Sequence, residues 1–368
     1  MSEFVIFTKD HAETITSQID MFDRIDLVIR LNKVGNFVIS GVQTRFDGTD
    51  PLVDFLALSP GSGIYIMRDG VLIFDGITTQ YNVSRDESSG GYVWSVEGYS
   101  ADCFIADRLI KPGTYPYATL YSSDKTGVQE TVMKQYVSEI VSVTGTKTLT
   151  VGADLARGAS VTWSARFDNM AEAFYDICGN TSMYWRVLQG EFECYQSRDL
   201  RAYQVFSFEA GNLLSLNGSC ALPTANSVTV AGGGEGVDRV FYEANSDDIA
   251  LYHRAIETFA DRRDTTSETV MQDEAIKTLQ EGSGQFDFTF EAIDVPNRKY
   301  ITDWNIGDWV SVYGNDCRIQ EISISKDSDG ERIIPSASKV FNGLSTRFTS
   351  FELQKIYRKR LNYLERRL

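Results

Sequence analysis

Apolar and polar residues alternate in short runs over the first hundred positions. Ser2 to Thr8, Ile25 to Arg30 and Asn36 to Gly41 each read as a strand, the last two joined by a Leu-Asn-Lys-Val-Gly turn. Gly63 to Arg68 and Val71 to Phe74 flank Asp69-Gly70. Asp-Gly tolerates the positive φ that a two-residue hairpin turn demands, so these runs are predicted to pair. Gly76 to Val83 and Tyr92 to Tyr99 are expected to pair across the polar loop from Ser84 to Gly91. Asp102 is placed to cap a short helix through Phe104, Ile105 and Leu109, stopped by Pro112-Gly113.

The pattern changes near Lys111 to Tyr117, where Pro112, Gly113 and Pro116 cluster. Beyond it lies a mixed segment. Met170, Ala173, Phe174 and Ile177 follow Asp168 at helical spacing, with Gly179 as the stop. Tyr184 to Leu188 and Glu191 to Tyr195 are two strands joined by Gln189-Gly190. The last third carries predicted strands at Val237 to Glu243, Gln285 to Ala292, Trp309 to Tyr313 and Arg318 to Ser325. A helix is predicted over Glu268 to Leu279, with Met271, Ala275 and Leu279 on one face. Ile249 to Arg262 fits a helix in part and a strand in part.

The end of the chain differs from the rest. In Ser350 to Leu368, Phe351, Leu353, Ile356, Tyr357, Leu361, Leu364 and Leu368 share one helical stripe. Six basic residues stand against two acidic ones, a net of +4, whereas the remainder of the chain carries −20. Such a helix can dock on an acidic neighbour, pack on its own domain or lie on a membrane. Tyr357, Arg358, Arg360, Leu361 and Leu364 are its candidate contact residues.

The overall balance of −16 argues against a protein that clamps nucleic acid by its phosphates. It suits a particle component, or a channel wall past which DNA slides without sticking. Five cysteines without C-x-x-C spacing read as reduced core thiols. The start, MSEFVIFTKDHAE, lacks a basic region followed by an apolar block, so no secretory signal is expected. No apolar run is long enough to span a membrane as a helix.

Candidate chemistry is sparse. The stretch VTVAGGGEGVDRVF holds Gly232, Gly233, Gly234 and Gly236 after an apolar run. A dinucleotide fingerprint needs a third glycine at the sixth position, which Val237 or Arg239 occupies, and a P-loop needs a Lys that is missing. Glu235 and Asp238 would also repel phosphate. The four glycines are therefore read as an interdomain joint, between a first β domain ending at Ser227 to Val230 and a second one. Only His11 and His253 are available to a triad or a zinc site, with no motif around either. Asp247/Asp248, Glu191/Glu193 and Asp303/Asp308 are carboxylate pairs, read as solvated. Tyr184, Trp185, Trp304 and Trp309 could stack on sugars but read as core or interface. No catalytic residue, cofactor or metal is expected.

Four regions in order carry a resemblance. They are D-G-I-T (Asp75 to Thr78) with V-E-G-Y-S-A-D-C-F-I-A-D-R-L-I (Val96 to Ile110); G-E-F-E-C-Y-Q-S-R-D-L (Gly190 to Leu200); G-E-G-V-D-R (Gly234 to Arg239) with E-T-F-A-D-R-R-D (Glu257 to Asp264); and I-G-D-W-V (Ile306 to Val310) with D-G-E-R-I-I-P (Asp329 to Pro335). Together they resemble the minor tail protein, or tail hub, family of long-tailed bacteriophages. The resemblance implies a homotrimeric ring closing the tail tube at the tail tip of the virion, made in the host cytoplasm. Its implied neighbours are the distal tail protein, the tape measure protein and a spike or receptor-binding protein. DNA would pass through without specific binding, and no membrane anchor is implied. The implied fold is β-rich α+β, with two β-barrel-like tube domains, a mixed α/β insert and a C-terminal helix. The corresponding boundaries are 1–110 with about 205–231, then 111–204, 232–345 and 346–368. Some tail-tip proteins carry an enzymatic extension, for which the residues after Pro335 are too few. The competing expectations are a cell-wall glycan hydrolase and a host-glycan binding module.

Overall fold

A computed structural model describes residues 2–19, 22–43, 62–86, 91–117, 119–140, 147–179, 181–263 and 265–339. Strands are the predominant regular element among the described residues. The first seven are β1 (Phe4–Lys9), β2 (Ile15–Ile19), β3 (Arg24–Arg30), β4 (Asn36–Gln43), β5 (Gly63–Arg68), β6 (Val71–Asp86) and β7 (Gly91–Ser100). A mixed stretch follows: α1 (Cys103–Ala106), β8 (Ser123–Val128), α2 (Gln129–Ser138), β9 (Thr150–Val151), β10 (Ser160–Ala165), α3 (Met170–Cys178), β11 (Met183–Leu188) and β12 (Glu191–Gln196). The rest comprises β13 (Val205–Phe206), β14 (Leu213–Ala221), β15 (Ser227–Ala231), β16 (Phe241–Asn245), α4 (Asp248–Tyr252), β17 (Glu257–Asp261), α5 (Glu268–Glu281), β18 (Gln285–Ala292), β19 (Trp309–Val312), β20 (Asn315–Asp327) and β21 (Gly330–Lys339).

The main sheet runs β14-β18-β21-β20-β3-β4-β7-β6-β5-β1-β2, with β19 joining β13 to β20. No sheet among the described residues closes on itself. Two compact units divide the chain. One holds Met1–Leu216, Thr289–Ser311 and Arg318–Ala337; the other holds Asn217–Phe288 and Val312–Cys317, and continues from Ser338.

Strand alternation explains the first unit's core. Ile25, Leu27 and Ile29 of β3, Phe37 and Ile39 of β4, and Trp94 and Val96 of β7 all turn inward and are buried. Each such side chain contributes roughly 1.5–3 kcal/mol by leaving water. The predicted Asp69-Gly70 hairpin forms, with positive φ at both residues and β5 paired antiparallel to β6. The runs Val71 to Phe74 and Gly76 to Val83 are one strand, not two. A register shift at Thr78/Gln80 lets β6 stay paired with β7 from Gly76 to Asp86.

A second core lies in the same unit, within the mixed segment. Ile105, Val132, Met133, Tyr136, Phe174, Trp185 and Phe192 are buried together. Asn169 caps α3 by accepting from the backbone N–H groups of Ala171 and Glu172, and Gly179 ends it with φ 47°. The helix expected from Asp102 to Leu109 is only four residues long, and the Asp102 side chain does not cap it. Its carboxylate is taken by Ser100 Oγ and the backbone N–H of Val187 instead.

In the second unit, β16-β15-β17 form a three-stranded sheet, with Met271 and Ala275 of α5 packed on Val228 and Val230. Both readings of Ile249 to Arg262 hold in part: α4 takes the start and β17 the end. The strand predicted from Val237 begins at Phe241, because Gly236–Asp238 coil into a 3-10 turn.

Candidate functional site

Among the candidate carboxylate pairs, Asp308, Asp303 and Glu193 are engaged in structural contacts. Asp308 accepts two bonds from the Arg198 guanidinium, and the Asp303 carboxylate accepts from the Lys299 N–H. Glu193 faces Lys134 on β12, and Asp248 opens α4. His11 sits in an exposed turn and His253 at the end of α4, on separate elements of separate units. Among the described residues no group of three or more His, Cys, Asp or Glu could hold a metal ion. Trp185 and Trp304 are buried, so neither offers a face to a sugar. Tyr184 is stacked on Tyr195 at 5.2 Å between centroids, and the Arg201 guanidinium lies over Trp309. The five cysteines are all free thiols.

Buried charge fastens the hairpin β11-β12 to the main sheet of its unit. Lys9 Nζ pairs with Asp75, whose other oxygen accepts the Gln189 N–H at 2.7 Å. Burial pushes the Lys9 amine down and the Asp75 carboxyl up, while each partner's charge opposes that shift. Asp102 accepts the Val187 N–H at 2.7 Å, and Asn32 accepts the Trp185 N–H at 3.0 Å. Burial also raises the Asp102 carboxyl. From the opposite side Arg318, itself buried, donates to Thr181 O, Met183 O, Ser197 Oγ and Gly307 O. These groups sit on strands far apart in sequence, so only pairing of the strands assembles them. Single residues such as Asn32 and Arg318 carried no pattern in the sequence that could reveal them.

The glycine loop lies inside the second unit, which corrects its reading as a joint between domains. It is the turn between β15 and β16, which pair antiparallel from Ser227↔Asn245 to Ala231↔Phe241. Across it the Gly232 N–H donates to Val240 O, the Val240 N–H donates to Gly233 O, and the Gly233 N–H donates to Thr265 O. Gly234 and Gly236 have φ of +107° and +56°. A Cβ on Gly234 would meet Asp238 O at 2.5 Å, so a side chain is excluded there on both counts. Arg239 folds back to donate to Gly232 O and Ala231 O and to pair with Asp261. The loop thus presents carbonyls to an arginine rather than N–H groups to a phosphate.

The sheet face opposite α5 is open along Ser227 and Thr229 and ends at buried Ala231, where Arg239 bridges to Asp261. Its residues are Ser227, Thr229 and Ala231 on the central strand, Phe241, Glu243 and Asn245 on one edge, and Glu257, Phe259 and Asp261 on the other. The candidate contact residues Tyr357, Arg358, Arg360, Leu361 and Leu364 lie outside the described residues.

A family model described as Siphovirus ReqiPepy6 Gp37-like protein matches residues 4–337. Three solved structures have a similar fold. The prophage MuSo2 43 kDa tail protein from Shewanella oneidensis is 15% identical, with a TM-score of 0.62 over 91% of this chain and 98% of that one. A tail protein from Neisseria meningitidis MC58 is 11% identical, with a TM-score of 0.59 over 91% and 96%. Prophage tail protein gp18 from Listeria monocytogenes EGD-e is 10% identical, with a TM-score of 0.54 over 93% and 96%. At these identities the likeness is one of fold. No curated protein matches the sequence. With the family model matched from Phe4 to Ala337, both β units and the mixed segment included, the chain belongs to the Siphovirus ReqiPepy6 Gp37-like protein family.

Proposed function

We propose that this chain is a structural hub of a phage tail tip. Three copies form a ring that closes the tail tube and joins it to the distal tail protein, the tape measure protein and a spike or receptor-binding protein. Each copy contributes two β-barrel-like domains to the ring, and the C-terminal segment with Tyr357, Arg358, Arg360, Leu361 and Leu364 supplies an assembly contact. The observation that carries the reading is the near end-to-end fold match with the MuSo2 tail protein, over 91% of this chain and 98% of that one. The match covers the mixed segment as well as the strands, so what is shared is the whole architecture. The net charge of −16 supports a lumen past which DNA slides. Three of the carboxylates that a hydrolase reading would need, Asp308, Asp303 and Glu193, are bound to cations or a backbone N–H, which supports a structural role.

Light scattering of the purified chain, with images of the assembled particle, tests this. A trimer in solution and a three-fold ring at the distal end of the tube are expected. A monomer at high concentration, together with particles lacking such a ring, would overturn the hub reading. Release of sugar from host cell wall by the pure chain would overturn the structural one.

A further inference from the structure

The open face of the three-stranded sheet has the shape of a trough. Its central strand carries only small side chains, Ser227 and Thr229 partly exposed and Ala231 buried at the end where Arg239 reaches Asp261 and lies over the Phe241 ring, while Phe241 and Phe259 stand on the two edge strands. They are 56% and 59% exposed. A single exposed aromatic is ordinary; two flanking one strip of small residues are not. Adjacent strands lie about 4.8 Å apart, so the edge strands are separated by roughly 10 Å. That is about the width of one α-helix with its side chains.

Charge selects the occupant. Glu243 and Glu257 lie on the same face, and among the described residues neither has an ion-pair partner. Residues 217–288 hold thirteen carboxylates against five Lys and Arg. A basic segment with an apolar stripe complements such a surface, and the chain contains one: Phe351 to Leu368, with Lys355, Arg358, Lys359 and Arg360 beside Ile356, Tyr357, Leu361 and Leu364. Eleven residues separate it from Lys339, the end of β21, a reach of up to roughly 40 Å. Two different surfaces on one chain make a head-to-tail contact, which closes into a ring when the rotation allows.

We infer that the trough between Phe241 and Phe259 receives the segment Phe351 to Leu368 of a neighbouring copy, and so links copies around the ring. This rests on the ring reading of the proposed function. The test uses the full chain and two variants, Phe241→Ser/Phe259→Ser and Glu243→Lys/Glu257→Lys. Val237→Ser, at a fully exposed residue in the glycine loop, is the control. Light scattering reads the oligomer, and a thermal melt checks that each variant is folded. A carbodiimide cross-link between ¹⁴N and ¹⁵N copies reads which chain supplies Lys355 or Lys359. Expected are a trimer for the full chain and the control, loss of most trimer in both variants with an unshifted melt, and inter-copy links to Glu243 or Glu257. Variants that remain trimers overturn the docking and leave the ring standing. Links confined within one copy also overturn it, by placing the segment on its own chain. A full chain that is itself a monomer removes both readings. Should the Phe variant melt early, the charge variant and the cross-link decide alone.

Discussion

Lys9 and Asp75 form an ion pair with side chains 1% and 0% exposed, and Asp75 also accepts the N–H of Gln189 in the β11-β12 turn. One carboxylate thus satisfies the buried cation of β1 and holds the mixed segment on the sheet. Glu13 shares the same ammonium at 2.6 Å, so the cation is held from two sides.

Lys9→Met leaves the Asp75 carboxylate buried without its counter-charge. The expected loss is about 3–5 kcal/mol, the usual result of removing one partner of a buried pair. Adding Asp75→Asn should recover much of it, because the orphaned charge is gone. Urea unfolding of the three proteins measures this. Equal midpoints for all three would refute it.

Glu130 predicts a pH dependence. Burial alone would raise its carboxyl, but the hydrogen bonds from Arg157 and Lys134 outweigh burial and hold it at about 2, below its ordinary 4.5. A carboxyl lowered by folding stabilises the native state above its unfolded pKa. That contribution, of order 2–3 kcal/mol, should fade as pH falls from about 4.5 through about 2. Glu130→Gln should flatten this part of the stability curve, as read from urea midpoints at pH 6 and pH 3.

Arg318→Met removes four bonds to backbone and Ser197 at once. Those acceptors cluster at the base of β11-β12. Amide exchange from Thr181 to Gln196 should quicken at least tenfold while β3 and β4 keep their protection. Uniform quickening would mean global destabilisation instead.

Gly234→Val should lower the stability of the second unit by about 1–3 kcal/mol, because φ +107° excludes a β-branched residue and its Cβ would strike Asp238 O. Gly236→Ala should cost less, since nothing lies within 4 Å of its Cβ position. Thermal melts rank the two. The reverse order would refute this account of the loop.

Thiol labelling should separate Cys220 from the rest. It is exposed, whereas Cys178, Cys194 and Cys317 are buried, and burial holds the partly exposed Cys103 thiol up at about 12. One thiol should react quickly in the native chain and five in denaturant. Fast reaction at Cys178 would contradict the mixed-segment core.

Local chemistry was enough to reveal much of this fold in the sequence. The hairpin at Asp69-Gly70, the pairing of β6 with β7, the β11-β12 hairpin and the stop of α3 at Gly179 all follow from residues adjacent in sequence. The glycine loop was legible as a turn for the same reason. Its place was not: whether it joins two domains or two strands of one sheet depends on β15 pairing with β16, and pairing is not a local property. Asp102 was misread because a helix cap and a distant N–H compete for one carboxylate. Val187, eighty-five positions away, wins only once the sheet has brought it close. The open trough, likewise, exists only after two edge strands set Phe241 and Phe259 on either side of β15. Sequence alone therefore determined the strand-rich character, the turns and the basic end. Tertiary structure decided which charges are buried together and which face stays open, because those depend on contacts between residues far apart along the chain.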